Sequence, residues 1–210
     1  MKKRVMIASV YSNNSLKYAI TKLSPDELVL VVEKGYETRT DRDSQTKKES
    51  IVEIKKSMGE VLTIKILEVD SLYDIHTITK EIVKEIDKYF SQCYDIDINM
   101  TEGRKTLSLG LMFAAYSRKE KVKGVYYVIK DTNQVMSLPI LSFPQINNVQ
   151  KEILKMVEKN INNIDEIKKN TNKSRSVIYL YVRDLKQKGF LSLEEEKKLM
   201  LTDLAKIYLL

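Results

Sequence analysis

The residues best suited to do chemistry stand in one short polar turn, Asn99 to Thr106, which reads NMTEGRKT. The turn joins an alternating, strand-like segment to an almost wholly apolar, helix-like one. Thr101 can cap the helix, and Gly103 permits a positive φ and a close backbone approach. Arg104 and Lys105 place two cations beside the free N–H groups of a helix N-terminus, an arrangement that binds anions, most often phosphate. The alternative is a turn with two solvated cations and no ligand.

The sequence lacks the residues that other common ligand-binding or catalytic sites require. None of the six glycines form the GxGxxG spacing of a dinucleotide site, and Arg104 interrupts the GK pair that a Walker A loop needs. Cys93 is the single cysteine, and no Cys/His cluster supports zinc, so no metal and no internal disulfide are expected. His76, the one histidine, has no evident catalytic partner, which favours a structural role. The turn is therefore the main candidate site.

Composition describes an ordinary soluble globular protein. The 210 residues are 43% hydrophobic and 31% charged, enough for one large domain or for one medium and one small domain. The formal net charge of +7 makes an anionic partner plausible. No stretch approaches the length of a membrane span, the apolar run after the first lysines is too short for a signal peptide, and the single cysteine suits a reducing compartment. We expect a cytoplasmic protein.

Strands and helices alternate over the first two thirds of the chain. Runs at 4–10, 28–32, 63–69, 95–100, 124–129 and 134–138 predict six strands, and helical spacing appears between them. A polar segment at 33–48 is interpreted as a connection before a helix face at Ile51, Ile54 and Met58. The pattern predicts an α/β fold with a Rossmann-like, mostly parallel sheet over residues 1–138. The short link at 131–133 predicts a hairpin and hence an antiparallel edge.

Ligands of open α/β sheets bind outside the carboxyl ends of the strands, near the switch in strand order. By that rule the polar loop after Val10 and the turn after Met100 line one crevice. The alternative for the first loop is an ordinary βα connection with a Ser/Asn cap. The candidate ligand-binding residues are Tyr11, Ser12, Asn13, Asn14, Asn99, Thr101, Glu102, Gly103, Arg104, Lys105 and Thr106.

Two of the three prolines mark a linker at 139–146, after which the periodicity is helical. Ser174 is placed to cap a third helix and Gly189 to end it. Two short strands then flank the acidic turn Glu194–Glu196, and a terminal helix closes the chain. This order of elements predicts a C-terminal winged helix-turn-helix domain over residues 147–210.

Positive charge is concentrated in that domain. Between Lys168 and Lys188 there are seven basic residues and one acidic residue. The outward face of the third helix would meet bases and phosphates of double-stranded DNA, and the acidic turn argues against deep insertion of the wing. The alternative is a helical dimerisation module with a solvated basic face. The candidate DNA-binding residues are Lys173, Ser174, Arg175, Ser176, Tyr179, Arg183 and Lys186.

The whole arrangement resembles the CRISPR-associated Rossmann-fold (CARF) transcriptional regulators of archaea, the CRISPR locus-related DNA-binding proteins. Only the turn NMTEGRKT is motif-specific. In the family it reads threonine, two glycines, a polar residue and a lysine or arginine. Thr101, Gly103, Arg104 and Lys105 match this pattern, whereas Glu102 replaces the first glycine and adds a carboxylate beside the expected phosphate.

The resemblance implies a homodimer that binds a cyclic oligoadenylate, above all the tetra-adenylate, between its paired sheets and regulates transcription in antiviral defence. It implies an effector ligand without a cofactor, and no catalytic residues. Two alternatives stay open: a ring nuclease that cleaves the cyclic ligand, and a regulator that senses another nucleotide.

Overall fold

The computed structural model describes residues 2–12, 14–193 and 198–210. The chain forms two compact units, and the boundary between them along the chain falls between Ser142 and Phe143, inside the segment predicted as a linker. Over the described ranges, every helix is too short or too polar to cross a lipid bilayer.

The N-terminal unit contains a six-stranded sheet in the order β3-β2-β1-β4-β5-β6. The first five strands are parallel, and β6 runs antiparallel to β5. The predicted mixed α/β fold, with a mostly parallel Rossmann-like sheet and an antiparallel edge, is confirmed. The elements are β1 (Arg4–Ser9), α1 (Asn14–Leu23), β2 (Glu27–Glu33), α2 (Arg42–Met58), β3 (Thr63–Val69), α3 (Ile75–Ser91), β4 (Asp95–Asn99), α4 (Lys105–Ser117), β5 (Val122–Ile129) and β6 (Gln134–Leu138).

Helix α2 begins well before the segment that its apolar spacing indicated. Asp41 occupies the N-cap, where its side chain accepts a hydrogen bond from the backbone N–H of Ser44 at 2.9 Å. The first two turns of α2 are rich in charge, and this is why the sequence pattern of residues 42–48 indicates a connection and not a helix. That interpretation is wrong, and the capped end of α2 lies near the carboxyl edge of the sheet.

Each face of the sheet is covered by a pair of helices. Side chains of α1 and α2 pack with alternate residues of β1 and β2, such as Met6 and Leu30, in one apolar cluster. On the other face, α3 packs closely on α4, and Gly110 makes this contact possible. A Cβ added at Gly110 would lie 2.4 Å from Cγ2 of Ile78, so the two helices approach at a point where no side chain fits.

A partly buried polar network lies at the opposite edge of the sheet, at the start of β2. The carboxylate of Glu27 accepts hydrogen bonds from Nζ of Lys65 at 2.6 Å, from the hydroxyl of Tyr89 at 2.9 Å and from the hydroxyl of Tyr94. Burial alone would raise the pKa of Glu27, but these donors outweigh it and lower the pKa to about 2. The network joins β2, β3 and the C-terminal end of α3, so it stabilises the fold.

The C-terminal unit contains three helices, a two-stranded antiparallel ribbon and a last helix. Ser174 caps α7 by accepting a hydrogen bond from the N–H of Val177 at 3.4 Å, and Gly189 follows that helix with a φ of +78°. The predicted acidic turn, Glu194–Glu196, lies outside the described residues. The elements are α5 (Asn148–Glu158), α6 (Ile164–Lys169), α7 (Arg175–Gln187), β7 (Leu191–Leu193), β8 (Leu199–Leu201) and α8 (Asp203–Leu209).

Candidate functional site

The turn between β4 and α4 depends on a glycine. Gly103 has a φ of +87°, and a Cβ at this position would lie 3.4 Å from both the Cβ of Ser9 and the Cδ2 of Leu107. A larger residue would therefore be strained by its backbone conformation and crowded by both neighbours. The glycine lets the turn approach the end of β1.

Thr101 has a different role from the predicted one. Its hydroxyl accepts a hydrogen bond from the N–H of Val128 at 2.9 Å, which ties the turn to β5. Its own N–H donates to the side-chain oxygen of Asn99 at 3.1 Å. The prediction that Thr101 caps α4 is wrong, because Arg104 occupies the N-cap position and makes no side-chain capping bond there. Helix α4 thus begins without a side-chain cap, and its first N–H groups can bind an anion.

A cavity of about 310 Å³ opens beside this helix terminus. It lies at the carboxyl ends of β1, β4 and β5, where the strand order reverses between β1 and β4. The structure thus brings the loop after β1 and the turn after β4 together. The lining residues are Tyr11, Asp43, Lys47, Thr101, Glu102, Gly103, Arg104 and Lys130.

The charges of the cavity are only partly balanced. Asp43 accepts a hydrogen bond from the hydroxyl of Tyr11 at 3.2 Å and lies 3.3 Å from Nη2 of Arg104. Lys47 exposes 6% of its surface, and its pKa is lowered by burial and, next, by the nearby guanidinium of Arg104. Since Lys130 adds a third cation, an anion in the cavity would relieve repulsion among like charges.

Several buried polar atoms at the switch point have no hydrogen-bond partner among the described residues. They are Oγ of Ser9, Nδ2 of Asn99 and Oε1 of Glu102, on residues that expose at most 2% of their surface, together with Nε of Arg104. A buried polar atom without a partner costs free energy. Two of the four residues, Glu102 and Arg104, line the cavity, which fits a site that takes a polar ligand with both donors and acceptors.

Some predicted ligand-binding residues lie outside the lining of this cavity. Asn99 is fully buried, Asn14 and Lys105 are exposed, and Ser12 is partly exposed. The hydroxyl of Thr106 donates to the backbone carbonyl of Leu72 and so holds the loop after β3. Asn13 lies outside the described residues.

Three lining residues were missed by sequence reasoning. Lys130 follows β5 directly, so the rule that placed the other loops at the carboxyl edge could have found it. Asp43 and Lys47 stand four residues apart on the first turns of α2, in the charged segment that the sequence pattern assigns to a connection. Their helical spacing was the available signal.

Comparison with known proteins places the N-terminal unit in a family. A family model described as "HFX_2341_N:-like, N-terminal" matches residues 4–133, more than half of the chain. The chain belongs to this family. No curated protein matches the sequence.

Solved structures share the fold of the HFX_2341_N-like chain at low sequence identity. Csm6 from Enterococcus italicus, bound to cyclic hexa-2′-fluoro-hexa-dAMP, aligns with a TM-score of 0.56 and 12% identity over 89% of this chain and 56% of that one. Protein VC1899 from Vibrio cholerae aligns with a TM-score of 0.52 and 8% identity over 97% of this chain and 63% of that one. The chain thus spans about three fifths of the length of either structure, and the similarity shows the fold alone.

Beyond the HFX_2341_N-like region, the seven candidate DNA-binding residues are all exposed on the C-terminal unit. Six of them belong to or cap α7, and Lys173 precedes it. Arg175 lies 3.3 Å from Asp165, but both side chains are largely exposed, so the pair is weak. Tyr179 exposes 59% of its surface and lines two neighbouring grooves of about 690 and 580 Å³.

Within the described ranges, no cluster of three or more His, Cys, Asp or Glu side chains is suited to a metal ion.

Proposed function

We propose that the chain is a CARF-type transcriptional regulator, in which the N-terminal unit binds a cyclic oligoadenylate and the C-terminal unit binds double-stranded DNA. The observation that carries the proposal is the cavity at the switch point, where Arg104, the N-cap residue of the uncapped helix α4, lies with Lys47 and Lys130. The same fold in Csm6 carries a cyclic adenylate analogue, which supports this ligand class.

The chemistry of the cavity suits a phosphodiester. A phosphate oxygen accepts hydrogen bonds from the first N–H groups of α4, while Lys47 and Arg104 neutralise its charge. A ring with two-fold symmetry presents equivalent phosphates to two copies of this site, so the proposal includes a homodimer with the ring on its axis. The tetra-adenylate has this symmetry, and so does the hexa-adenylate.

Isothermal titration with cyclic tetra- and hexa-adenylate tests the ligand site. Lys47→Ala and Arg104→Ala should each weaken binding at least about tenfold, because a hydrogen bond to a charged group contributes roughly 1.5–3 kcal/mol. Lys56→Ala is the matched control, since Lys56 is an exposed lysine on the same helix and outside the cavity. Equal affinities in all variants, or no binding by the wild-type protein, would contradict the assignment.

The C-terminal unit is proposed to be a winged helix-turn-helix. Its support is the order of α5, α6, α7, a two-stranded ribbon and α8, together with the exposed basic residues of α7. In this arrangement α7 enters the major groove, and Arg183 and Lys186 contact phosphates or base edges.

The DNA site is tested in two steps. A duplex that binds the protein is first selected from a random-sequence pool, and its affinity is then measured by fluorescence anisotropy over a range of salt concentrations. Arg183→Ala and Lys186→Ala should each reduce the slope of log affinity against log salt concentration by about one, because one fewer counterion is released on binding. Lys155→Ala, on the exposed side of α5, should change nothing. A salt dependence unaltered by any of the three substitutions would argue for the alternative of a solvated basic face.

The two activities are linked if the ring favours one arrangement of the two DNA-binding units. The segment at 139–146, with its two prolines, would transmit that preference. Adding the cyclic oligoadenylate should then change the affinity for DNA, and adding DNA should change the affinity for the cyclic oligoadenylate by the same factor. Identical DNA affinity with and without saturating ring would exclude the linkage.

A second candidate function is cleavage of the ring, and one observation favours it. Glu102 lines the cavity next to Arg104, and its Oε1 has no hydrogen-bond partner among the described residues. In such a reaction the ribose 2′-oxygen attacks the adjacent phosphorus and gives its proton to a carboxylate. The bond from phosphorus to the 5′-oxygen breaks, that oxygen takes up a proton, and a 2′,3′-cyclic phosphate forms. Mass spectrometry would detect linear product, and Glu102→Gln should abolish it.

A further inference from the structure

An exposed aromatic ring lies beside the cavity on a loop that sequence reasoning did not select. Tyr73 follows β3 and exposes 66% of its surface. The guanidinium carbon of Arg104 lies 5.0 Å from the centre of its ring, within the range of a cation–π contact. The ring is thus joined directly to a residue that lines the cavity.

The loop that carries this ring is fixed at both sides. The carbonyl of Leu72 accepts a hydrogen bond from Thr106 in the first turn of α4, and the Leu72 side chain is 1% exposed. Asp74 caps α3 by accepting a hydrogen bond from the N–H of His76 at 3.0 Å. The backbone on each side of Tyr73 is therefore anchored, while its ring stays open to solvent.

An aromatic ring and a guanidinium in contact can bind both parts of a nucleotide. The guanidinium stacks through its flat face and keeps N–H groups at its edge for a phosphate. The ring offers a surface on which any base can stack, and each stacked base contributes substantially to the affinity for single-stranded nucleic acid.

We infer that Tyr73 and Arg104 form a base-stacking platform, on which an adenine of the ligand lies while the adjoining phosphate occupies the cavity. This inference rests on the proposed function and adds the residue that binds the base. It assigns base recognition to the loop after β3, and it gives Thr106 the role of positioning that loop.

The test compares binding of cyclic tetra- and hexa-adenylate to the full-length wild-type protein, Tyr73→Leu and Tyr73→Phe. Leucine keeps an apolar side chain without a π face, and phenylalanine keeps the ring without the hydroxyl. Phe90→Leu is a matched control, because Phe90 exposes 45% of its surface and has Nζ of Lys121 5.3 Å from its ring centre, yet lines none of the described cavities. Inorganic pyrophosphate is the second probe, because it carries the anion without a base.

Tyr73→Leu should weaken adenylate binding about tenfold or more, whereas Tyr73→Phe should stay within about threefold of the wild type. Phe90→Leu should leave binding unchanged, and Tyr73→Leu should leave pyrophosphate affinity unchanged. Equal adenylate affinity of Tyr73→Leu and wild type, alongside the loss expected for Lys47→Ala, would overturn the platform and leave the ligand site standing. A wild-type protein that binds pyrophosphate but no adenylate ring would overturn both.

Discussion

Asp43 acts as an internal counter-ion in the cavity, and its removal should increase affinity for the cyclic ligand. Its carboxylate lies 3.3 Å from Arg104 and accepts a hydrogen bond from Tyr11. In Asp43→Asn the cation is released and one negative charge near the phosphate disappears. The side chains of Asp43 and Arg104 are 44% and 40% exposed, so a water-like dielectric applies. Two unit charges about 4 Å apart then interact by about 1 kcal/mol, which predicts roughly fivefold tighter binding.

The same substitution should slightly destabilise the free protein. Asp43 is an acidic residue in the first turn of α2, where a negative charge stabilises the helix by about 0.3–1 kcal/mol. Titration calorimetry at low salt measures the affinity, and urea unfolding measures the stability. Asp70→Asn is the control, since it removes an exposed acidic residue outside the cavity. If Asp43→Asn weakens ligand binding, Asp43 contacts a donor of the ligand and is not displaced by its phosphate.

Three further predictions concern stability. Because the folded pKa of Glu27 is about 2, below its ordinary value of 4.5, the stability that it contributes is present above about pH 4.5 and is lost as the pH falls towards 2. Glu27→Gln should therefore lower stability at pH 7 by up to about 3 kcal/mol and flatten its dependence on acid, as urea unfolding from pH 2 to 7 would reveal. Gly110→Ala should destabilise by about 1–3 kcal/mol in thermal unfolding, because the new methyl group would collide with Ile78. Gly103→Ala should cost about 1 kcal/mol and weaken ring binding, since its φ of +87° disfavours a side chain.

Controls separate these causes from general effects of substitution. Leu109→Ala, on the exposed side of α4, should change stability little, whereas Gly110→Ala one residue later should lower it measurably. Glu81→Gln is the control for Glu27→Gln, since it removes an acidic residue of α3 that pairs with Lys84, outside the Glu27 network. Acid unfolding of Glu27→Gln that matches the wild type at every pH would contradict the role assigned to that carboxylate.

Local patterns were sufficient for the framework of the N-terminal unit. The continuous apolar run of β1 indicated a central strand, and β1 lies in the middle of the sheet. Alternating strands and helices indicated parallel pairing, and the polar link before β6 indicated the antiparallel edge. These predictions succeeded because they depend on side-chain periodicity and on connection rules that operate between neighbouring elements.

The turn at the start of α4 was also recognised from its residues, but the partners of those residues were not. Thr101 looked like a cap because threonine commonly caps helices, yet a strand distant in sequence supplies the N–H that it binds. Similarly, Lys47 and Asp43 were hidden in a charged segment whose helical start depends on the Asp41 cap.

Residue types and spacing were enough to place a polar turn with two cations at the carboxyl edge of a Rossmann-like sheet, and they predict that it binds phosphate. Only the packed molecule decides that Lys47, Lys130 and Tyr73 join Arg104 around it. These residues come from three separate loops and helices, and their distances depend on the strand order and on how α2 packs against the sheet. Such long-range contacts have no signature in any short stretch of the chain, because a residue's neighbours along the sequence do not determine its neighbours in space.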